Sequence, residues 1–188
     1  MELSRMKAMR KVTLLLLCLL MTGALTACGG GHGSPKGIVK SLVKYSVAGK
    51  ESKIEDCYSQ VDDLTKQEIA STTQYYEAMK ADGMEVTSCD IIQDYGDYSY
   101  VYITFGVKLS KDKSYPRVET YFVKKDNKKY YILPSSQITT QMNQQAISAY
   151  EEFQNSDAYK QYQKDYETFL LKSPNFESEL ALKLNGGE

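Results

Sequence analysis

The chain is predicted to adopt an α+β fold, with N-terminal helices packed on a four-stranded antiparallel sheet and a helical tail after it. Three observations predict this. Apolar residues recur with a period near 3.6 from Ser34 to Asp82, near 2 from Met84 to Leu133, and near 3.6 again from Ser135 onward. Turn residues punctuate the middle region at Asp94-Tyr95-Gly96-Asp97 and at Asp126-Asn127. Helices come first and strands follow as a group, which is the α+β order.

Ser34-Pro35 opens the first helix, with Ser as N-cap and Pro at the first helical position. Ile38, Val39, Leu42, Val43 and Ser46 share one side, and Gly49 supplies the stop. A short second helix is expected from Lys53, capped by Ser52, with Ile54, Cys57, Tyr58 and Val61 inward. A third is expected from Thr65, where Glu68 completes a capping-box pattern, and it ends at Asp82-Gly83.

Strands are expected over 84–93, 98–109, 117–125 and 129–133, with a polar loop at 110–115. In the second of them Val101, Ile103, Phe105, Val107 and Leu109 point one way, and Tyr98, Tyr100, Tyr102 and Thr104 the other. Two further helical stripes follow. One is Ile138, Met142, Ala146, Ala149 and Phe153; the other is Tyr159, Tyr162, Tyr166, Phe169 and Leu170. They form an extension, 135–188, whose apolar sides must be buried on the sheet or on a partner.

The N-terminus carries a different signal. Arg5, Lys7, Arg10 and Lys11 precede an apolar run from Val12 to Met21, and Leu25-Thr26-Ala27-Cys28 follows. Charge, apolar core and small-residue site in that order mark a secretory leader. The run is shorter than the roughly 20 residues of a membrane-spanning helix. The Leu-Thr-Ala-Cys stretch resembles the lipobox of bacterial lipoproteins. That resemblance implies a signal peptide over 1–27, a diacylglyceryl group on the Cys28 thiol, and a location at the extracytoplasmic face of the cell membrane. Gly29-Gly30-Gly31-His32-Gly33-Ser34 reads as a flexible tether.

Removing residues 1–27 takes four basic residues and one acidic one, leaving 161 residues with 19 basic against 23 acidic. A chain of this length supports one domain with a sizeable core. The acidic balance argues against a nucleic-acid partner, which would require a basic excess. Lys124-Lys125 and Lys128-Lys129 flank a turn and read as solvated hairpin ends. Beyond the leader and Cys28, the cysteines are Cys57 and Cys89, an even number that permits a disulfide outside the cytoplasm. No spacing suggests zinc or a calcium loop, and no metal or cofactor is expected.

Residues 35–134 resemble the nuclear-transport-factor-2-like superfamily, a cystatin-like cone of curved sheet around an N-terminal helix. The features that carry the resemblance are the Ser34-Pro35 start, the helix beginning Ile38-Val39-Lys40-Ser41-Leu42, and the closing hairpin Phe122-Val123-Lys124-Lys125-Asp126-Asn127-Lys128-Lys129-Tyr130-Tyr131-Ile132. Asn127 stands where glycine is usual, and Tyr130 where tryptophan is usual. Enzymes of the superfamily use an Asp, or an Asp with a His, beside tyrosines in the cone. The single histidine of this chain, His32, lies in the tether. The catalytic alternative therefore reduces to a carboxylate with a tyrosine, for instance Asp90 with Tyr100 or Tyr102, and no catalytic residue is assigned.

Tyrosine is the unusual residue, sixteen of them with no tryptophan. Tyr98, Tyr100 and Tyr102 share a strand face, which Tyr121 is expected to join from the next strand. That face fits a surface covered by the tail helices, a homodimer interface, or the lining of a pocket. The expected role is a lipid-anchored binding or assembly module, non-catalytic, for a small ligand or an envelope protein. The alternatives are a small carboxylate–tyrosine enzyme and a structural envelope protein that docks a partner through its tail.

Overall fold

The computed structural model describes residues 31–186. The leader, Cys28 and the first residues of the tether lie outside that range, so the lipobox reading lies outside the described residues. Among the described residues no helix is long and apolar enough to cross a membrane.

Helix α1 spans Pro35–Val47, and Ser34 Oγ accepts the Gly37 N–H at 3.0 Å. Gly49, at φ +63°, takes the left-handed turn after it. Helix α2, Glu51–Glu55, begins ahead of the expected Lys53 and has no side-chain cap. Helix α3, Asp63–Ala78, begins ahead of the expected Thr65 because Asp62 is its cap. Asp62 Oδ1 accepts both the backbone N–H of Thr65, at 2.8 Å, and its hydroxyl, at 2.7 Å. The capping box expected of Glu68 does not form; its carboxylate accepts a hydrogen bond from Ser135 instead.

The sheet is a meander of β1 (Gly83–Asp94), β2 (Tyr98–Ser110), β3 (Lys113–Asp126) and β4 (Lys129–Ile132), in the spatial order β1-β2-β3-β4. The loop expected over 110–115 shrinks to a turn at Lys111-Asp112, and β3 starts at Lys113 so that Tyr115 pairs with Val107. The last turn falls at Asn127-Lys128, where both residues have positive φ, 45° and 68°. That is the geometry of a tight hairpin turn matched to strand twist, and asparagine tolerates it better than most residues.

The inner face of the sheet presents Val101, Ile103, Phe105 and Val107, all fully or almost fully buried, to Ile38, Val39, Leu42 and Val43 of α1. Burying each such side chain stabilises the fold by about 1.5–3 kcal/mol, so this layer is the main core. The outer face carries Tyr100, Phe122 and Leu133, closed over by Met142 and Ala149 of helix α4, Thr140–Phe153. Helix α5, Asp157–Lys172, starts at a Ser156 cap, and α6 spans Phe176–Leu184. Phe169 of α5 and Leu180 of α6 enter the main core beside Tyr115. The tail therefore completes both apolar layers.

The described part of the tether is packed. The Tyr130 N–H donates to the His32 carbonyl at 3.0 Å, and His32 Nδ1 lies 2.7 Å from the Tyr130 carbonyl oxygen. The His32 ring lies 4.7 Å from the Tyr131 ring. Farther along the same edge the Ile132 N–H donates to the Cys57 carbonyl at 2.9 Å. An edge strand with unpaired backbone groups is a template for unwanted pairing, and these two segments cover it. Within residues 31–34, read from composition as flexible, His32 is thus held on β4 while Ser34 caps α1.

Candidate functional site

The tyrosine face is the outer one. Tyr100 is buried, donates to Thr120 Oγ1 at 2.8 Å and lies 4.8 Å from the Phe122 ring. Tyr98 donates to Gln145 Oε1 of α4 at 2.5 Å, and the Tyr102 ring lies 4.3 Å from that of Phe153. Helix α4 and its C-terminal end therefore lie over these three residues. Tyr121 does not join them. It pairs with Val101, so strand alternation places it on the inner face. The expected association fails because β3 is in register with the opposite parity from the one assumed.

On the inner face Tyr121 belongs to a polar cluster. Its hydroxyl donates to Glu119 Oε2, while Tyr76 of α3 donates to Glu119 Oε1 at 2.9 Å and Arg117 Nη2 reaches the same oxygen at 3.0 Å. Arg117 Nη1 donates to the Tyr75 hydroxyl at 2.6 Å. Burial is the largest single influence and opposes the Arg117 charge, but Glu119, Tyr75 and Tyr76 together hold the guanidinium above its ordinary pKa. Burial, reinforced by Glu119, likewise raises the phenols of Tyr76 and Tyr121. The carboxylate is saturated with donors, which suits a structural tie between α3 and β3.

Asp90 and Tyr102 are cross-strand neighbours, but their polar ends part. Asp90 Oδ1 accepts the Ile91 N–H at 2.8 Å and lies 3.3 Å from Lys36 Nζ. These contacts lower its pKa, with the backbone hydrogen bond the largest cause. The Tyr102 hydroxyl shares a hydrogen bond with Ser88 Oγ at 2.9 Å. The pairing of Asp90 with Tyr100 or Tyr102 as an acid–base unit is not assembled.

Cys57 and Cys89 are both free thiols. Cys57 sits against β4 and Cys89 on β1, at opposite edges of the sheet. β1 and β4 alone lie three strand spacings of about 4.8 Å apart across the sheet, and Cys57 sits beyond β4, whereas a disulfide allows roughly 7 Å between Cα atoms. The expected bridge is therefore absent. Burial pushes the Cys57 thiol up to about 12 and that of Cys89 up to about 11.

A cleft of about 300 Å³ opens between α5 and the outer face of β2 and β3. Thr104, Gly106, Ser114 and Pro116 form its floor, and Asp165, Thr168 and Lys172 are on the helical wall. Thr104 is 2 % exposed, and no protein group is bonded to its Oγ1. Thr73 Oγ1 and Arg117 Nε are likewise buried without a partner, and each such group costs about 1–3 kcal/mol. Glycine at 106 accommodates the neighbouring strand: a Cβ there would fall 2.2 Å from Ser114 Oγ. The sequence does carry one sign of this cleft, a lone glycine inside an otherwise regular strand, which signals close approach. The helical wall comes from a segment about fifty residues later, and no local pattern announces it.

No family model matches the chain, and no curated protein does. Two solved structures are similar to parts of it. One is a SEC-C motif containing protein from Rhodopseudomonas palustris, 12 % identical, covering 54 % of this chain and 77 % of its own, with a TM-score of 0.39. The other is an NTF-2 like protein of unknown function from Shewanella oneidensis MR-1, 17 % identical, covering 53 % of this chain and 96 % of its own, also with a TM-score of 0.39.

Proposed function

We propose that the protein is a lipid-anchored, extracytoplasmic binding module of the nuclear-transport-factor-2-like kind, and that it holds a small polar ligand in the cleft beneath α5. The anchor rests on the Leu25-Thr26-Ala27-Cys28 stretch. The binding role is carried by the cleft of about 300 Å³ and its polar lining, Thr104, Ser114, Asp165, Thr168 and Lys172. A binding role is favoured over catalysis by the state of the polar groups. Glu119 is saturated by Tyr76, Tyr121 and Arg117, while Asp90 is turned toward Lys36.

The test is native mass spectrometry of the lipid-free chain beginning at Gly29, which keeps Gly31 and His32 in place on β4. A reproducible extra mass on the wild type that is lost in Gly106→Leu supports the cleft. An extra mass that survives Gly106→Leu moves the ligand elsewhere, and a bare protein from a native source removes the ligand reading. Separately, Cys28→Ala should release the protein from membranes; a variant that still fractionates with them would sink the anchor.

A further inference from the structure

We infer that the hairpin end of β3 and β4, with His32, Tyr130 and the Lys128-Lys129 turn, faces the bilayer with the strands pointing away from it, and that the cleft is thereby held off the membrane. The inference rests on the lipoprotein reading and adds an orientation to it. The domain is gripped from Gly31 onward. A Cβ on Gly31 would lie 2.7 Å from the Gly37 carbonyl and 2.2 Å from Ser41 Oγ, so this residue is pressed onto α1. His32 is then bonded twice to Tyr130. Only Cys28, Gly29 and Gly30 separate the lipid-bearing sulfur from that seat. In any conformation three residues reach about 10 Å at most. The headgroup layer on one side of a bilayer is itself about 5–8 Å deep. An acyl anchor on so short a tie brings the hairpin end of β4 into contact with the headgroups.

Charge at that end agrees. Lys124, Lys125, Lys128 and Lys129 cluster on the hairpin, against Asp126 within it and Asp94 and Asp97 on the neighbouring turn. The domain as a whole is acidic, so this local excess of lysine is the part an anionic lipid surface attracts. The other end of β3 lies far off. From Asp126 beside the hairpin to Ser114 on the cleft floor, twelve residues of strand cover about 40 Å. With the strand rising from its hairpin end, the cleft end faces the aqueous phase.

The experiment uses the mature lipidated protein reconstituted on the outside of phosphatidylglycerol–phosphatidylethanolamine vesicles. Lysine acylation rates are read residue by residue and compared with those of the lipid-free chain. Lys128 and Lys129 should react at least threefold more slowly on vesicles, while Lys160 and Lys164 of α5 keep their rates. Protein that floats with the vesicles yet labels at Lys128 and Lys129 as fast as the free chain overturns the orientation and leaves the anchor standing. Slowing at Lys160 and Lys164 instead overturns it by placing the cleft side on the membrane. Protein that carries no lipid mass and does not float overturns the anchor, and the orientation with it.

Discussion

Tyr76 on α3 donates its phenolic hydrogen to Glu119 on β3 across 2.9 Å, tying a helix to the sheet through a carboxylate that Arg117 and Tyr121 also engage. Removing different members of this cluster should cost different amounts. Tyr76→Phe leaves Glu119 with two donors and should cost about 1 kcal/mol. Glu119→Gln leaves the Arg117 charge half-buried without its counter-ion and should cost about 2–3 kcal/mol. Urea unfolding of both variants checks the order; a Glu119→Gln change milder than Tyr76→Phe would mean that solvent compensates Arg117.

The same cluster sets a pH dependence. Burial first, and then Glu119, raises the phenols of Tyr76 and Tyr121 above the ordinary tyrosine value. A group whose folded pKa is raised contributes stability that is complete below its unfolded pKa, near 10, and is lost as pH climbs from there through the folded value. The urea midpoint should therefore be flat between pH 7 and 9 and fall above pH 10. Absorbance at 295 nm should show that part of the tyrosine ionises only with unfolding. Complete ionisation of all tyrosines in the still-folded protein would contradict the burial.

Asp62 works in the opposite direction. Hydrogen bonds from Ser136 and Thr65 lower its pKa to about 2. Its contribution is present above the unfolded value near 4 and disappears as pH falls through about 2. Acid unfolding of Asp62→Asn should lack that component, which stability curves between pH 5 and 2 can resolve. Indistinguishable acid limbs for variant and wild type would rule it out.

The thiols give a chemical check on the sheet order. Intact mass after denaturation should show that Cys57 and Cys89 have lost no hydrogens. Ellman's reagent should react with neither at a normal rate in the native protein, since burial raises both thiols. A mass two hydrogens lower would require β1 and β4 to be neighbours, which the meander forbids.

The tail is expected to be indispensable. Deleting residues 135–188 uncovers Tyr100, Phe122 and Leu133 on one face and strips Phe169 and Leu180 from the main core. The truncated chain should be insoluble or unfolded by circular dichroism. Phe153→Ala, which removes the ring against Tyr102, should cost about 3 kcal/mol. A truncation that stayed monomeric and cooperative would return the tail to the role of a separate docking arm.

The sequence by itself determined the elements, their order and the class of fold. The change of period at Gly83 and again at Ser135, the Ser34-Pro35 start and the turns at 94–97 and, one residue early, at 126–127 are local signals, and local sterics enforce them. It also carries the Leu25-Thr26-Ala27-Cys28 stretch on which the proposed anchor rests, a pattern of neighbouring residues that needs no fold to be read. Tertiary structure alone decided what meets across distance. The parity of β3 sent Tyr121 to Glu119 instead of to Tyr100, because register is set by pairing along the whole strand rather than by composition. The meander put Cys57 and Cys89 on opposite edges, the return of α5 over β2 and β3 built a cleft around Gly106 and Thr104, and the open edge of β4 captured His32 from a glycine run that composition reads as free. Each of these depends on backbone groups or side chains that find partners tens of residues away, and a pattern confined to neighbours along the chain does not contain them.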